Sequence, residues 1–216
     1  MKIGFMLFFC MLCFNYACNT NTSESKGDLP ELSTANIIAG QMYKEQKKLY
    51  RSIDSLQLLL PKTCEKFGLN ETLVLIAHLG IHSGLPRMVL LNLNGKQVLD
   101  SGLVAHGYGE VNFSKTVVFS NQPNSYCSSK GIYKIGAKYK GSFGWSYKLH
   151  GLEKTNSKAF ERFIVLHPYE CVPLTNIFPA YCCNSQGCPM VNPLFMKRLE
   201  KRIDGAKKPV MLWVIE

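Results

Sequence analysis

Two side chains in this sequence have the chemistry of a nucleophile and its base: Cys188 and His167. Cys188 lies in the stretch Cys182-Cys183-Asn184-Ser185-Gln186-Gly187-Cys188-Pro189-Met190-Val191. A cysteine sulfur is a strong nucleophile once ionised, and an imidazole within reach can take its proton and later return it. Gly187 before the cysteine and Pro189 after it predict a sharp turn that presents the sulfur at the mouth of a cleft. His167 closes the apolar run Phe163-Ile164-Val165-Leu166, which reads as a buried strand. The two residues are too far apart in sequence to meet except through the fold. A thiolate attacking a carbonyl makes a tetrahedral oxyanion, which needs hydrogen-bond donors. Pro189 has no N–H, so the candidate donors are the backbone N–H groups of Cys188 and Gly187, with Ser185 steadying the turn.

The elements that must position this pair can be read from the patterning. Ser33 or Thr34 caps a helix running to Leu60, with Leu49, Ile53, Leu56 and Leu60 on one face and Pro61 as its stop. Its basic residues Lys44, Lys47, Lys48 and Arg51 form a solvated side. Leu73 to Leu79 reads as a strand. Met88–Leu93 and Lys96–Leu99 flank Asn94-Gly95, the signal for a tight type I′ hairpin. A third strand, Gly102–Ala105, leads into His106-Gly107. A polar loop over 119–125 precedes strands near 131–136 and 145–149, then the strand ending at His167. After the cysteine turn, Pro193 to Ile203 is an amphipathic helix closed by Gly205, and Val210–Ile215 is a last buried strand. About seven strands and two or three helices, with no alternating βαβ rhythm, predict a mainly β fold with flanking helices: a mixed sandwich or barrel, not a doubly wound sheet.

The chain has 216 residues, 46% of them hydrophobic, with a net charge of +10 and nine cysteines. The charge suits an anionic partner such as a wall polymer or an acidic lipid surface, or serves only to keep the protein soluble. No zinc-finger spacing or aromatic RNP pattern accompanies it, so nucleic acid is not the expected partner. So many cysteines point to an oxidising compartment. The N-terminus agrees: Lys2 and the apolar stretch Ile3–Phe14 read as a signal sequence over residues 1–18. Ala17-Cys18 ahead of a polar run resembles a bacterial lipoprotein site, with Cys18 as the lipidated residue; a plain secretory signal is the alternative. Residues 19–70 then hold a tether and the N-terminal helix, and residues 71–216 the catalytic domain.

Five ordered blocks carry a family resemblance. They are Val104-Ala105-His106-Gly107 with Phe119-Ser120-Asn121, Ser128-Ser129-Lys130-Gly131-Ile132-Tyr133, Gly151-Leu152-Glu153, Val165-Leu166-His167 and Ser185-Gln186-Gly187-Cys188-Pro189. In this order, across roughly residues 74–216, they resemble the murein L,D-transpeptidase catalytic-domain family, of YkuD-type fold. The resemblance implies a mixed β-sandwich with Cys188 and His167 in a groove and peptidoglycan stem peptides as substrate. It implies a thioester acyl-enzyme resolved by an amine, with no cofactor or resident metal. His106, Tyr133, Asn184 and Gln186 become candidate substrate contacts. For His106 an orienting or purely structural role stands beside that reading, and for Tyr133 a place in the core. The chain departs from the family where arginines often stand, at Asn184 and Met190, and at Gln186, where histidine is common.

Further readings follow from the residues. Water in place of the amine would make the protein an L,D-carboxypeptidase or endopeptidase, and a fold without productive donor binding would make it a wall-binding module. Cys171, Cys182 and Cys183 have the content of a zinc site but lack any Cys-x2-Cys pair. A disulfide from Cys171 to Cys182 or Cys183 is expected, and a Cys183–Cys188 bond would be an oxidised off-state.

Overall fold

Leu73–His78 is the strand the rest is built around, because its residues alternate between two cores. Leu75 and Ala77 face one apolar cluster and Val74 and Ile76 the other. Burial on both faces explains why the run is apolar without interruption. In the computed structural model, which describes residues 33–216, this is β1 of a nine-stranded sheet. The others are β2 (Met88–Asn92), β3 (Gln97–Gly102), β4 (Val104–Ala105), β5 (Gly131–Gly141), β6 (Gly144–Gly151), β7 (Val165–Pro168), β8 (Met190–Val191) and β9 (Met211–Ile215). Three helices accompany them among the described residues: α1 (Thr34–Leu56), α2 (Leu60–Lys66) and α3 (Pro193–Asp204).

The strand order is β3-β2-β1-β9-β5-β6-β7-β8-β4. Pairing is parallel for β1–β9 and β7–β8 and antiparallel elsewhere, so the sheet is mixed. Its two edges, β3 and β4, are separated in sequence by Leu103 alone. The chain can leave one edge and enter the other within a residue only if the sheet curls back on itself. The fold is therefore mainly β with flanking helices, as the patterning implied, in the form of one rolled sheet. Inside the curl, α3 buries Phe195, Met196, Leu199 and Ile203. Asn192 caps it, its Oδ1 accepting from Leu194 N, and Pro193 supplies the first turn. Gly102 is obligatory there: a Cβ would stand 2.4 Å from the Phe195 ring. On the outer face α1 and α2 pack Leu49, Ile53, Leu60 and Cys64 against the second cluster.

Two expectations change. Helix α1 ends at Leu56, and Pro61 sits in the first turn of α2, starting a helix instead of stopping one. The β2–β3 hairpin pairs Asn92 with Gln97, so its loop has four residues, and Lys96, not Asn94-Gly95, takes the positive φ of 48°. Residues 33–216 form one unit, so α1 and α2 belong to the same body as the sheet. The expected signal sequence and Cys18 lie outside the described residues.

Candidate active site

The cysteine turn is held from three sides. Ser185 bridges to Gly107, with Ser185 N donating to His106 O at 2.8 Å and Tyr108 N to Ser185 O at 2.9 Å. Within the turn, Ser185 Oγ donates to Cys188 O at 2.6 Å and accepts from Gly187 N at 3.0 Å. From the third side Ser128 Oγ accepts from Gly107 N and donates to Gly187 O. Gly187 has φ +110°, and a Cβ there would meet Cys127 O at 2.6 Å, so glycine is required on both counts. The Gly187 N–H is thus engaged by Ser185 Oγ at rest. Cys188 N–H has no partner among the described residues and remains available.

Helping to hold this turn is a buried cation that the sequence reading missed. Arg87 is 1% exposed and donates to the carbonyls of Leu79, Ile81 and Val104 and to His106 Nδ1 at 2.7 Å. His106 is fully buried. Burial and the guanidinium push its pKa down to about 4, while the Ser114 and Thr116 carbonyls oppose the shift. Its expected contact with substrate does not match this placement: His106 is a neutral strut. The Asn184 amide lies 3.4 Å from its Nε2. Asn184 also pins the neighbouring loop, accepting from Ser114 N at 2.7 Å and donating to Ser114 O at 3.1 Å. Tyr133, 2% exposed, spends its hydroxyl on Ser129 O at 2.7 Å, so it too is a buried strut. Gln186 is exposed.

His167 pairs with Met190 across β7 and β8. Cys188 comes two residues before Met190, in the bend that leads into β8, next to Pro189, whose carbonyl accepts from His167 N at 3.4 Å. Among the described residues no hydrogen bond joins imidazole to sulfur. Cys188 Sγ rests 3.8 Å from Phe163 O, and His167 Nδ1 lies 3.1 Å from Pro168 O. A carbonyl only accepts, so Nδ1 carries the proton and Nε2 keeps a lone pair to serve as base. Phe143 stacks on the ring with centroids 4.5 Å apart, leaving His167 3% exposed. Burial pushes the His167 pKa down, against the Pro168 carbonyl. It pushes the Cys188 thiol up, against the Val165 backbone N–H and the Arg162 charge. At rest the pair is therefore neutral thiol and neutral imidazole, which suits proton transfer during attack more than a standing ion pair.

Two more features escaped the sequence reading. Phe163 is 84% exposed with φ +57°, a strained conformation for a bulky residue, and that backbone turn aims its carbonyl at the sulfur. Arg162 heads the apolar run ending in His167; a charge leading a buried strand was the available signal. The disulfide joins Cys171 to Cys183, one of the two expected pairings, and leaves Cys188 free. It closes the loop that delivers the chain to Asn184. Glu153 Oε2 accepts from Ile132 N and Asn156 Nδ2 donates to Ile132 O, so the Gly151-Leu152-Glu153 block and Asn156 anchor the start of β5.

A family model described as the L,D-transpeptidase catalytic domain matches residues 45–213. No curated protein matches the chain. Among solved structures it is similar to the helical cell shape determining protein Pgp2 of Campylobacter jejuni, as its K307A mutant. The identity is 9% and the TM-score 0.46, over 66% of this chain and 46% of that one. It is also similar to an L,D-transpeptidase of Xylanimonas cellulosilytica, at 15% identity and TM-score 0.37, over 71% and 68%. A third similar structure is an L,D-transpeptidase of Stackebrandtia nassauensis, at 12% identity and TM-score 0.39, over 67% and 56%. The chain spans about half the length of the Pgp2 structure. The family assignment rests on the family model.

Proposed function

The chain belongs to the L,D-transpeptidase catalytic-domain family, and on that premise we propose that it is a cysteine acyltransferase acting on peptidoglycan stem peptides in the bacterial cell envelope, anchored through a lipidated Cys18. The observation that carries this reading is the turn that sets the free, half-buried Cys188 just ahead of the strand paired with His167, whose Nε2 keeps a lone pair to accept a proton.

In the proposed reaction the sulfur swings away from Phe163 O as His167 Nε2 takes its proton. The thiolate attacks the carbonyl of the third stem residue, forming a C–S bond and an oxyanion facing the Cys188 N–H. Collapse breaks the C–N bond, and His167 returns its proton to the departing D-alanine amine. An acceptor amine from a second stem then gives a proton to His167 and attacks the thioester. This forms the new amide, and the returning proton leaves Cys188 as the thiol. Ser185 keeps the turn in place throughout through its bonds to Cys188 O and Gly187 N.

Muropeptide mass spectrometry after incubation with tetrapeptide-bearing wall tests this directly. New 3→3 dimers are expected. Trimmed tripeptides would replace the transferase with a hydrolase, and an unchanged wall with retained protein would replace both with a binding module.

A further inference from the structure

Arg162 heads the segment that turns through Phe163 into β7, and its guanidinium is fixed in place. Nη1 donates to Ser120 O at 2.8 Å and to Ser129 Oγ; Nη2 donates to Cys127 O at 2.7 Å and Ser125 Oγ at 3.4 Å. The same Nη2 lies 3.3 Å from where a Cβ on Gly187 would stand, so the cation packs on the residue just before the nucleophile. All four partners are neutral oxygens. Among the described residues Arg162 forms no salt bridge with a carboxylate. Its charge is therefore not cancelled locally, and half-burial limits screening by salt.

We propose that Arg162 is a positioning residue of this site: locked by the 120–129 loop against the cysteine turn, its guanidinium supplies the fixed positive charge that favours the Cys188 thiolate. The inference rests on Cys188 being the nucleophile. It follows from what else faces the sulfur. His167 on β7 is neutral at rest, and Tyr133 on β5 is a buried phenol held un-ionised. The Val165 N–H contributes a dipole and no charge. Arg162 is thus the standing cation at the sulfur, and a nearby positive charge shifts a thiol toward thiolate. With four N–H groups already spent on the loop, Arg162 is poorly placed to fork a substrate carboxylate. Its role is therefore different from that of the arginines the family often carries at the positions of Asn184 and Met190.

The test is iodoacetamide alkylation of Cys188 in the full chain, from about pH 5 to 10, read by peptide-resolved mass spectrometry so that the other thiols do not interfere. Arg162→Met is expected to raise the alkylation midpoint by about one pH unit, which slows neutral-pH labelling about tenfold. Arg162→Lys should recover most of that shift. Ser129→Ala, which removes one bond of the clamp and keeps the charge, should leave the midpoint in place. An unchanged midpoint in Arg162→Met, or an equal shift in Ser129→Ala, overturns the proposal. If Arg162→Met does not fold, Arg162→Gln carries the same test with part of the clamp retained. Alkylation needs no turnover, so a negative result here leaves the acyltransferase reading intact, and failure of the muropeptide assay leaves this one measurable.

Discussion

Acid should destabilise this protein through His106, and the size of the effect can be worked from its surroundings. Its Nδ1 accepts from Arg87 at 2.7 Å in a fully buried site, so a proton on the ring would set a second cation against the first in a dry interior. The folded pKa is accordingly pushed from 6.5 to about 4. As pH falls below 6.5 the unfolded chain takes up this proton first. The stability present at neutral pH is then lost progressively until the folded form also protonates, near the lowered value. At about pH 4.5 that loss is roughly 2 to 3 kcal/mol. His78 adds to it in the same direction: it is fully buried, also pushed down to about 4, and its Nδ1 has no partner among the described residues. Comparing wild type with His106→Gln isolates the first effect, because glutamine can still accept from Arg87 but cannot titrate. Urea unfolding at neutral pH and at about pH 4.5 should show wild type losing roughly 2 to 3 kcal/mol more than the variant. Equal losses in the two chains would refute the reasoning, as would a His106 ring resonance that titrates near 6.5.

Cys171→Ser opens the cross-link that spans 12 residues and should cost about 3 kcal/mol of stability, read as a lower urea midpoint that added reductant does not lower further. Phe143→Ala uncovers the His167 ring, so its pKa should climb toward the ordinary value and the acid limb of Cys188 acylation should move to higher pH; a limb that stays in place contradicts the covering role. Tyr133→Phe removes the bond to Ser129 O and should cost about 1 kcal/mol while leaving the acylation rate unchanged, which separates a buried strut from a substrate contact.

What could be read from the sequence was what local pattern controls. The uninterrupted apolar run of β1 announced a strand. The spacing of Leu199 and Ile203 behind Pro193 gave α3 and its inward side, and Ser185 two residues before Gly187 suggested a side chain that would bond within the turn. The remainder depended on distant partners. Nothing near Leu103 indicates that the residues on either side of it belong to opposite edges of the sheet. His106 looked free for substrate because its partner, Arg87, stands 19 residues upstream and meets it only after β2 and β4 fold. Arg162 acquires its place from the 120–129 loop crossing over it, a contact no periodicity records. Pro61 was ambiguous on physical grounds, since its fixed φ suits a helix start as well as a stop.

The central claim is that Cys188 is the atom donor to an acyl-enzyme and His167 its base. Intact-protein mass spectrometry on the chain mixed with a stem tetrapeptide tests it most directly. Wild type should gain one acyl group, mapped to Cys188, with D-alanine released. His167→Ala should gain it far more slowly, and Cys188→Ala not at all. An adduct on any other residue, or full conversion of the peptide by Cys188→Ala, would contradict the account.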